Sequence, residues 1–309
     1  MDRPESHHGN APLPPVILRS RRFGKRVTGD TISGHVRLHE RFRSKALGNK
    51  RNVVVYLPPA YGSLRATAPS LERFPVLYLH DGQNVFDART SAYGVEWGLD
   101  AHAERLIGAR RVANVIMVGV YNTGDSRMAE YTPPWTNRPN TGRADAYAEF
   151  LLDELKPFID STYRTRPEGE HTGILGSSLG GLCALYLGLR HPRAFSRIGA
   201  VSPSLWFAQG RMLTWLPETL PKAADPPPSG WEAPRRVWLC GGTEEGQPRD
   251  GRPPYLIESI RWLRRSMLLK GYREGEHLFY LEVPGGRHDE HSWSLRAPRM
   301  LEALFPAAN

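Results

Sequence analysis

The sequence predicts an α/β protein with a mostly parallel, eight-stranded sheet and helices on both faces. Eight short runs rich in β-branched and aromatic residues recur along the chain: HVRLHERF, NVVVYLPP, PVLYLHDG, NVIMVGVY, TGILGS, RIGAVSPS, RVWLCGG and HLFYLEVPGG. Several are apolar at consecutive positions, as strands covered on both faces require. Between the later runs lie helical patterns, and strands that alternate with helices imply parallel pairing through crossovers.

In the first helical pattern, ADAYAEFLLDELKPFIDSTY, Tyr147, Phe150, Leu151, Leu155 and Phe158 fall on one stripe, with Asp145 near the positive helix end. The segment PPYLIESIRWLRRSMLLKG repeats the arrangement with Leu256, Ile260, Leu263 and Leu268, and closes on Gly271. A third helix, GLCALYLGLRHP, is stopped by Pro192. The stretch LPETLPKAADPPPSGWEAP reads as a surface loop, because strand-like sequence resumes directly after it. Residues 1–34, with NAPLPP and RSRRFGKR, read as a flexible basic arm, and 35–309 as one catalytic-sized domain.

The formal net charge of +9 is local: eleven Lys or Arg lie between Arg19 and Arg51, against Asp30 and Glu40, and the remainder is near neutral. With no helix-turn-helix, zinc-finger or RNA-binding motif beside it, this segment is expected to be a solvated face, with no nucleic-acid partner. No apolar run reaches membrane-spanning length and MDRPESHHGN lacks a secretory pattern, so a cytoplasmic protein without a membrane span is expected. Cys183 and Cys240 are too few for a disulfide framework or a four-thiolate zinc site and read as core residues.

Chemistry enters at GILGSSLGG. HTGIL is a strand, the helix follows, and Gly176, Ser178 and Gly180 satisfy G-x-S-x-G on the turn between them. A serine held on so tight a turn leaves no room for side chains two residues to either side. Ser177 has Leu175 and Leu179 at those offsets, which makes Ser178 the candidate nucleophile and Ser177 a spacer. A serine hydroxyl needs a base. His288, in VPGGRHDEHSW after the last strand, is better placed than His39, His80, His171 or His291, and the order Ser, acid, His is that of α/β-hydrolases. For the acid, Glu244, Glu245 and Asp250 all follow the strand RVWLCGG. Oxyanion donors are expected at the backbone N–H of Leu179 and in the loop after an early strand, where LYLHDGQNVF supplies Gly82 and Gln83.

These residues resemble the esterase family of α/β-hydrolases that includes enterochelin and other siderophore esterases, feruloyl and related carbohydrate esterases, esterase D and mycolyltransferases. Blocks match in order from about His35 to Leu304: YLPPAY, PVLYLHDGQNVFD, GVYNTGDSRMAEYTP, FIDSTYRT, GILGSSLGGLCALYLGLRHPRAFS, VSPSLWF, GGTEEG and GGRHDEHSW. The resemblance implies the α/β-hydrolase fold, Ser178 as nucleophile, His288 as base with Glu290 and Trp293 completing its motif, and Glu245 as acid where many relatives carry Asp. It puts the second oxyanion donor near Gln83 and assigns Asp81, Gly82, Arg127, Glu130, Tyr131 and Trp206 to the substrate pocket. The large N-terminal domain of enterobacterial enterochelin esterases has no counterpart in the short basic arm.

The expectation is a serine carboxylester hydrolase working through an acyl-enzyme on a small-molecule ester of the siderophore or carbohydrate-linked kind, with no cofactor and no metal. Trp97, Trp135 and Trp206 are candidates for stacking on aromatic or sugar rings. Acyl transfer would use the same residues, and a non-catalytic binding protein would be marked by a broken triad. A metal-dependent hydrolase could draw on HDEH and HDGQNVFD, and chelation would discriminate it.

Overall fold

The computed structural model describes residues 23–62, 72–220, 222, 234–246 and 255–307. The strands are β1 (Lys25–Val27), β2 (His35–Arg43), β3 (Lys50–Leu57), β4 (Val76–Leu79), β5 (Ile116–Val120), β6 (Thr172–Ser177), β7 (Arg197–Val201), β8 (Arg236–Gly242) and β9 (Leu278–Val283). They form one sheet in the order β1-β2-β3-β5-β4-β6-β7-β8-β9. From β5 through β9 every pairing is parallel, while β1, β2 and β3 add an antiparallel edge.

All eight expected runs are strands, and a ninth was missed. Lys25–Val27 lies within the segment expected to be a flexible arm, yet it pairs with β2 through Lys25↔Leu38 and Val27↔Val36. A three-residue edge strand rich in cations gives almost no periodicity to read. Arg51, one of the eleven cations assigned to a solvated face, is fully buried and paired with Glu130.

The helices are α1 (Leu99–Gly108), α2 (Arg127–Tyr131), α3 (Ala144–Glu149), α4 (Lys156–Thr162), α5 (Leu179–Arg190), α6 (Phe207–Thr219), α7 (Tyr255–Leu269), α8 (Glu290–Ser294) and α9 (Ala297–Leu304). A π-helical turn, Phe150–Leu155, joins α3 to α4, so the long predicted helix is present with a local widening. The expected loop from Leu216 begins late, because α6 runs to Thr219; most of the rest of that loop, like residues 1–22 and Asp250, lies outside the described residues.

Strand alternation sorts the core into two layers. Val53, Val55, Val76 and Tyr78 face the side covered by α3 to α7, whereas Val54, Tyr56, Leu77 and Leu79 face α1 and α9. Both faces are therefore dry, which explains the unbroken apolar runs of β4 and β6. Among the described residues no helix is long and apolar enough to cross a membrane. The parallel strands present their carboxyl ends on one edge, where ligand crevices of open α/β sheets lie.

Candidate active site

The turn after β6 explains its own sequence. Ser178 adopts φ 55° and ψ −121°, unusual for a residue with a side chain. A Cβ on Gly176 would stand 2.5 Å from the carbonyl carbon of Gly180, and one on Gly180 3.1 Å from the His80 Cβ. The backbone N–H of Ser178 donates to Val201, and its carbonyl accepts from Leu182 and Ser204. The serine is thereby clamped between α5 and the loop after β7.

Three loops bring the predicted triad together. His288 Nε2 lies 3.0 Å from Ser178 Oγ, and His288 Nδ1 lies 3.1 Å from Glu245 Oε2. An ionised carboxylate can only accept, so Nδ1 carries the proton and Nε2 presents a lone pair to the serine hydroxyl. The imidazole also packs edge-on against Trp293, with ring centroids 4.9 Å apart. Glu245 is fully buried. Its second oxygen, Oε1, accepts from Ser202 Oγ at 2.8 Å, Gly242 N at 2.8 Å and Arg296 Nη2 at 2.9 Å. Glu244 takes no part in this set. The loop can fold so closely only because Gly242 and Gly286 abut: a Cβ on Gly242 would sit 2.1 Å from the Gly286 carbonyl oxygen.

The turn after β4 lies opposite. Asp81 is left-handed (φ 53°) and leads into a 3-10 turn, Gly82–Asn84. A Cβ on Gly82 would fall 2.3 Å from the Gly119 carbonyl carbon, so glycine is obligatory there. Leu179 and Gln83 occupy the opening positions of α5 and of this turn, where backbone N–H groups have no intrahelical acceptor. A cavity of about 610 Å³ opens between the loops, lined by Gln83, Arg127, Ser178, His288 and Glu290 among others.

The decisive comparison is with protein families: the model described as "Putative esterase" matches residues 44–304. The chain belongs to this esterase family. It is accordingly a carboxylic ester hydrolase. The uncharacterized protein YbbA of Bacillus subtilis (strain 168) is 23% identical over 254 residues, 79% of the esterase chain and 88% of YbbA. The ferri-bacillibactin esterase BesA of the same organism is 30% identical over 156 residues, 45% of this chain and 51% of BesA, so the match spans about half of each. Among solved structures, an IroE-like serine hydrolase from Shewanella oneidensis aligns with a TM-score of 0.67 at 25% identity, covering 87% of this chain and 80% of that one.

Several residues expected in the substrate pocket of the esterase have other tasks. Glu130 is fully buried and holds Arg51 through both carboxylate oxygens, at 2.8 and 2.9 Å. The Tyr131 hydroxyl accepts from the Asp81 backbone N–H at 3.0 Å and so shapes the turn from behind. Asp81 and Arg127 border the cavity, but they are bound to each other by two contacts of 2.7 Å. Trp206 lines a separate cavity of about 410 Å³ with Trp135, Arg138 and Gln209, away from the triad's cavity. Trp97 is buried against Trp293.

Others were missed. Ser204 Oγ lies 3.2 Å from Ser178 Oγ and, with the Ser178 hydroxyl proton directed to His288, is the donor of that pair. Ser202 donates to Glu245 while accepting from Trp293 Nε1 and Arg296 Nη1. Asn122 bonds the Asp81 carboxylate and, through its backbone N–H, the Gln83 side chain. VSPSLWF and GVYNTGDSR contain these residues, but nothing in a short polar loop says which hydroxyl or amide points inward. His80 is buried and bonds Tyr147 through Nδ1, and that burial pushes its pKa down to about 4, so it belongs to the core. Among the described residues no cluster of three or more His, Cys, Asp or Glu could hold a metal ion.

Proposed function

We propose that the protein hydrolyses carboxylic esters through an acyl-enzyme formed on Ser178. The observation that carries this reading is the continuous relay from Ser178 Oγ through His288 to Glu245, at 3.0 and 3.1 Å. Ser178 Oγ attacks the ester carbonyl carbon as its proton passes to His288 Nε2, and Glu245 stabilises the imidazolium through Nδ1–H. The oxyanion is received by the backbone N–H groups of Leu179 and Gln83. Collapse expels the alcohol, which takes the proton from Nε2. Water then gives a proton to His288 as it attacks the acyl carbonyl, and the acid and free serine are released.

For substrate we favour a siderophore ester, a reading supported by the ferri-bacillibactin esterase relative and by a cavity whose volume suits a drug-sized ligand rather than a polymer. The test compares nitrophenyl acetate turnover by wild type, Ser178→Ala and Ser177→Ala, with and without chelator, together with hydrolysis of a catecholamide trilactone and of methyl ferulate. Loss of turnover in Ser178→Ala alone, an acetyl adduct on Ser178 by mass spectrometry and preference for the trilactone are expected. Full activity in Ser178→Ala would end the acyl-enzyme reading.

A further inference from the structure

Glu290 completes the His288 motif but has no part in the relay. Its side chain is buried on the wall of the triad's cavity, two residues beyond His288. Its carboxyl receives one side-chain hydrogen bond, from Asn84 Nδ2 to Oε1 at a long 3.3 Å. Asn84 does not depend on that bond, because its Oδ1 accepts from the Ala92 N–H and its carbonyl from the Trp97 N–H. Among the described residues Glu290 has no ion-pair partner within contact distance; burial first, then Asp81 and Asp289, raise its pKa above the ordinary glutamate value, against the opposing pull of its own backbone N–H and of His288. A carboxyl on a cavity wall, held only by one long side-chain bond and its own backbone N–H and with two like charges nearby, keeps acceptor capacity that a donor on the ligand would fill.

We propose that Glu290 determines specificity by accepting a hydrogen bond from an N–H group, amide or ammonium, carried on the acyl carbon next to the scissile ester. The inference rests on the roles given above to Ser178 and the Gly82–Asn84 turn. These would hold the acyl carbonyl through both halves of the reaction, and the Glu290 carboxyl, bonded to that turn through Asn84 and lining the same cavity as Ser178 and Gln83, is on that ground assigned to the acyl portion. Amino-acid-derived esters carry such a group at that position, and simple alkanoyl or cinnamoyl esters do not.

The test is binding, read by NMR titration near neutral pH, to Ser178→Ala protein, which leaves a bound ester intact. The probes are alanine methyl ester, N-acetylalanine methyl ester and methyl isobutyrate, which share a branched acyl carbon and differ in the donor. Both donor-bearing esters are expected to bind about tenfold tighter than the isobutyrate, the effect of one charge-assisted hydrogen bond in a partly wet site. Adding Glu290→Gln should abolish the advantage of the ammonium ester, and adding Glu290→Leu that of both. Equal binding of the three esters, or an advantage that survives both substitutions, overturns the proposal. Turnover of any ester by Ser178→Ala would instead sink the acyl-enzyme reading and leave the binding contrast standing.

Discussion

Replacing Glu245 by Gln changes one atom and should stop the reaction, for a reason contained in the hydrogen bonds. Three donors converge on Oε1: Ser202 Oγ, Gly242 N and Arg296 Nη2, all within 2.9 Å. An amide nitrogen cannot stand there without opposing at least the fixed backbone N–H and the guanidinium. The amide oxygen must take that end, which turns the NH₂ toward His288 Nδ1. That nitrogen must then accept, so the ring proton moves to Nε2 and points at Ser178 Oγ. The histidine is now the wrong tautomer to act as a base, a defect worth about four orders of magnitude in kcat, or about 5 kcal/mol. Arg296, 2% exposed, simultaneously loses its buried counter-charge, at a cost of about 3 to 5 kcal/mol in stability. At roughly 2 °C per kcal/mol for a chain of this size, Tm should fall by about 5 to 10 °C. Burst kinetics with nitrophenyl acetate and a thermal melt check both effects. A Glu245→Gln enzyme whose kcat stays within tenfold of wild type would refute the tautomer assignment and show that His288 works without its carboxylate.

Arg51→Met should lower stability by about 3 to 5 kcal/mol in urea titrations, because it strands the fully buried Glu130, while KM of the folded fraction stays within about twofold. Gly176→Ala should give insoluble or inactive protein, since its Cβ would meet the Gly180 backbone at 2.5 Å; Gly108→Ala, with open space around it at the end of α1, should be neutral or stabilising by up to about 1 kcal/mol. Stability should also fall in acid through His80. Its folded pKa of about 4 lies below the unfolded 6.5, so its contribution is complete above pH 6.5 and is lost as pH drops toward 4, a change of about 3 kcal/mol. His39, also pushed down to about 4 by burial, adds in the same sense, and urea unfolding between pH 7.5 and 4.5 should show a shallower fall in His80→Gln.

The parallel part of the sheet was legible because burial on both faces forces an unbroken apolar run, and the elbow because sterics force glycine at fixed offsets from the serine. What stayed hidden was decided by direction in three dimensions. Arg127, Glu130 and Tyr131 sit in one short helix, and the family resemblance assigned all three alike to the substrate pocket. The backbone sends Glu130 to Arg51, Tyr131 beneath the Asp81 turn and only Arg127 to the cavity wall, where Asp81 holds it. The β1 strand was hidden for the opposite reason, since it is made by pairing rather than by any pattern of its own.

The acid of the relay joins these two kinds of information. A glutamate where the family resemblance implies aspartate in many relatives looks like a lengthened arm, yet the extra carbon lets Oε1 reach back to the N–H of Gly242 in its own turn while Oε2 meets His288. That geometry requires Gly242 against Gly286, Ser202 held at a positive φ of 47° and Arg296 brought in from the segment before α9. Substituting Glu245→Asp should then cost more than a small shift of the histidine. The shorter arm can satisfy Gly242 or His288 but not both, and since the backbone donor and Arg296 are fixed, the bond to His288 is the one that lengthens. A kcat fall of about tenfold or more with little loss of Tm is expected, the converse of the large Tm loss expected of Glu245→Gln. A Glu245→Asp enzyme at wild-type kcat would mean that the loop, not the carboxylate arm, adjusts.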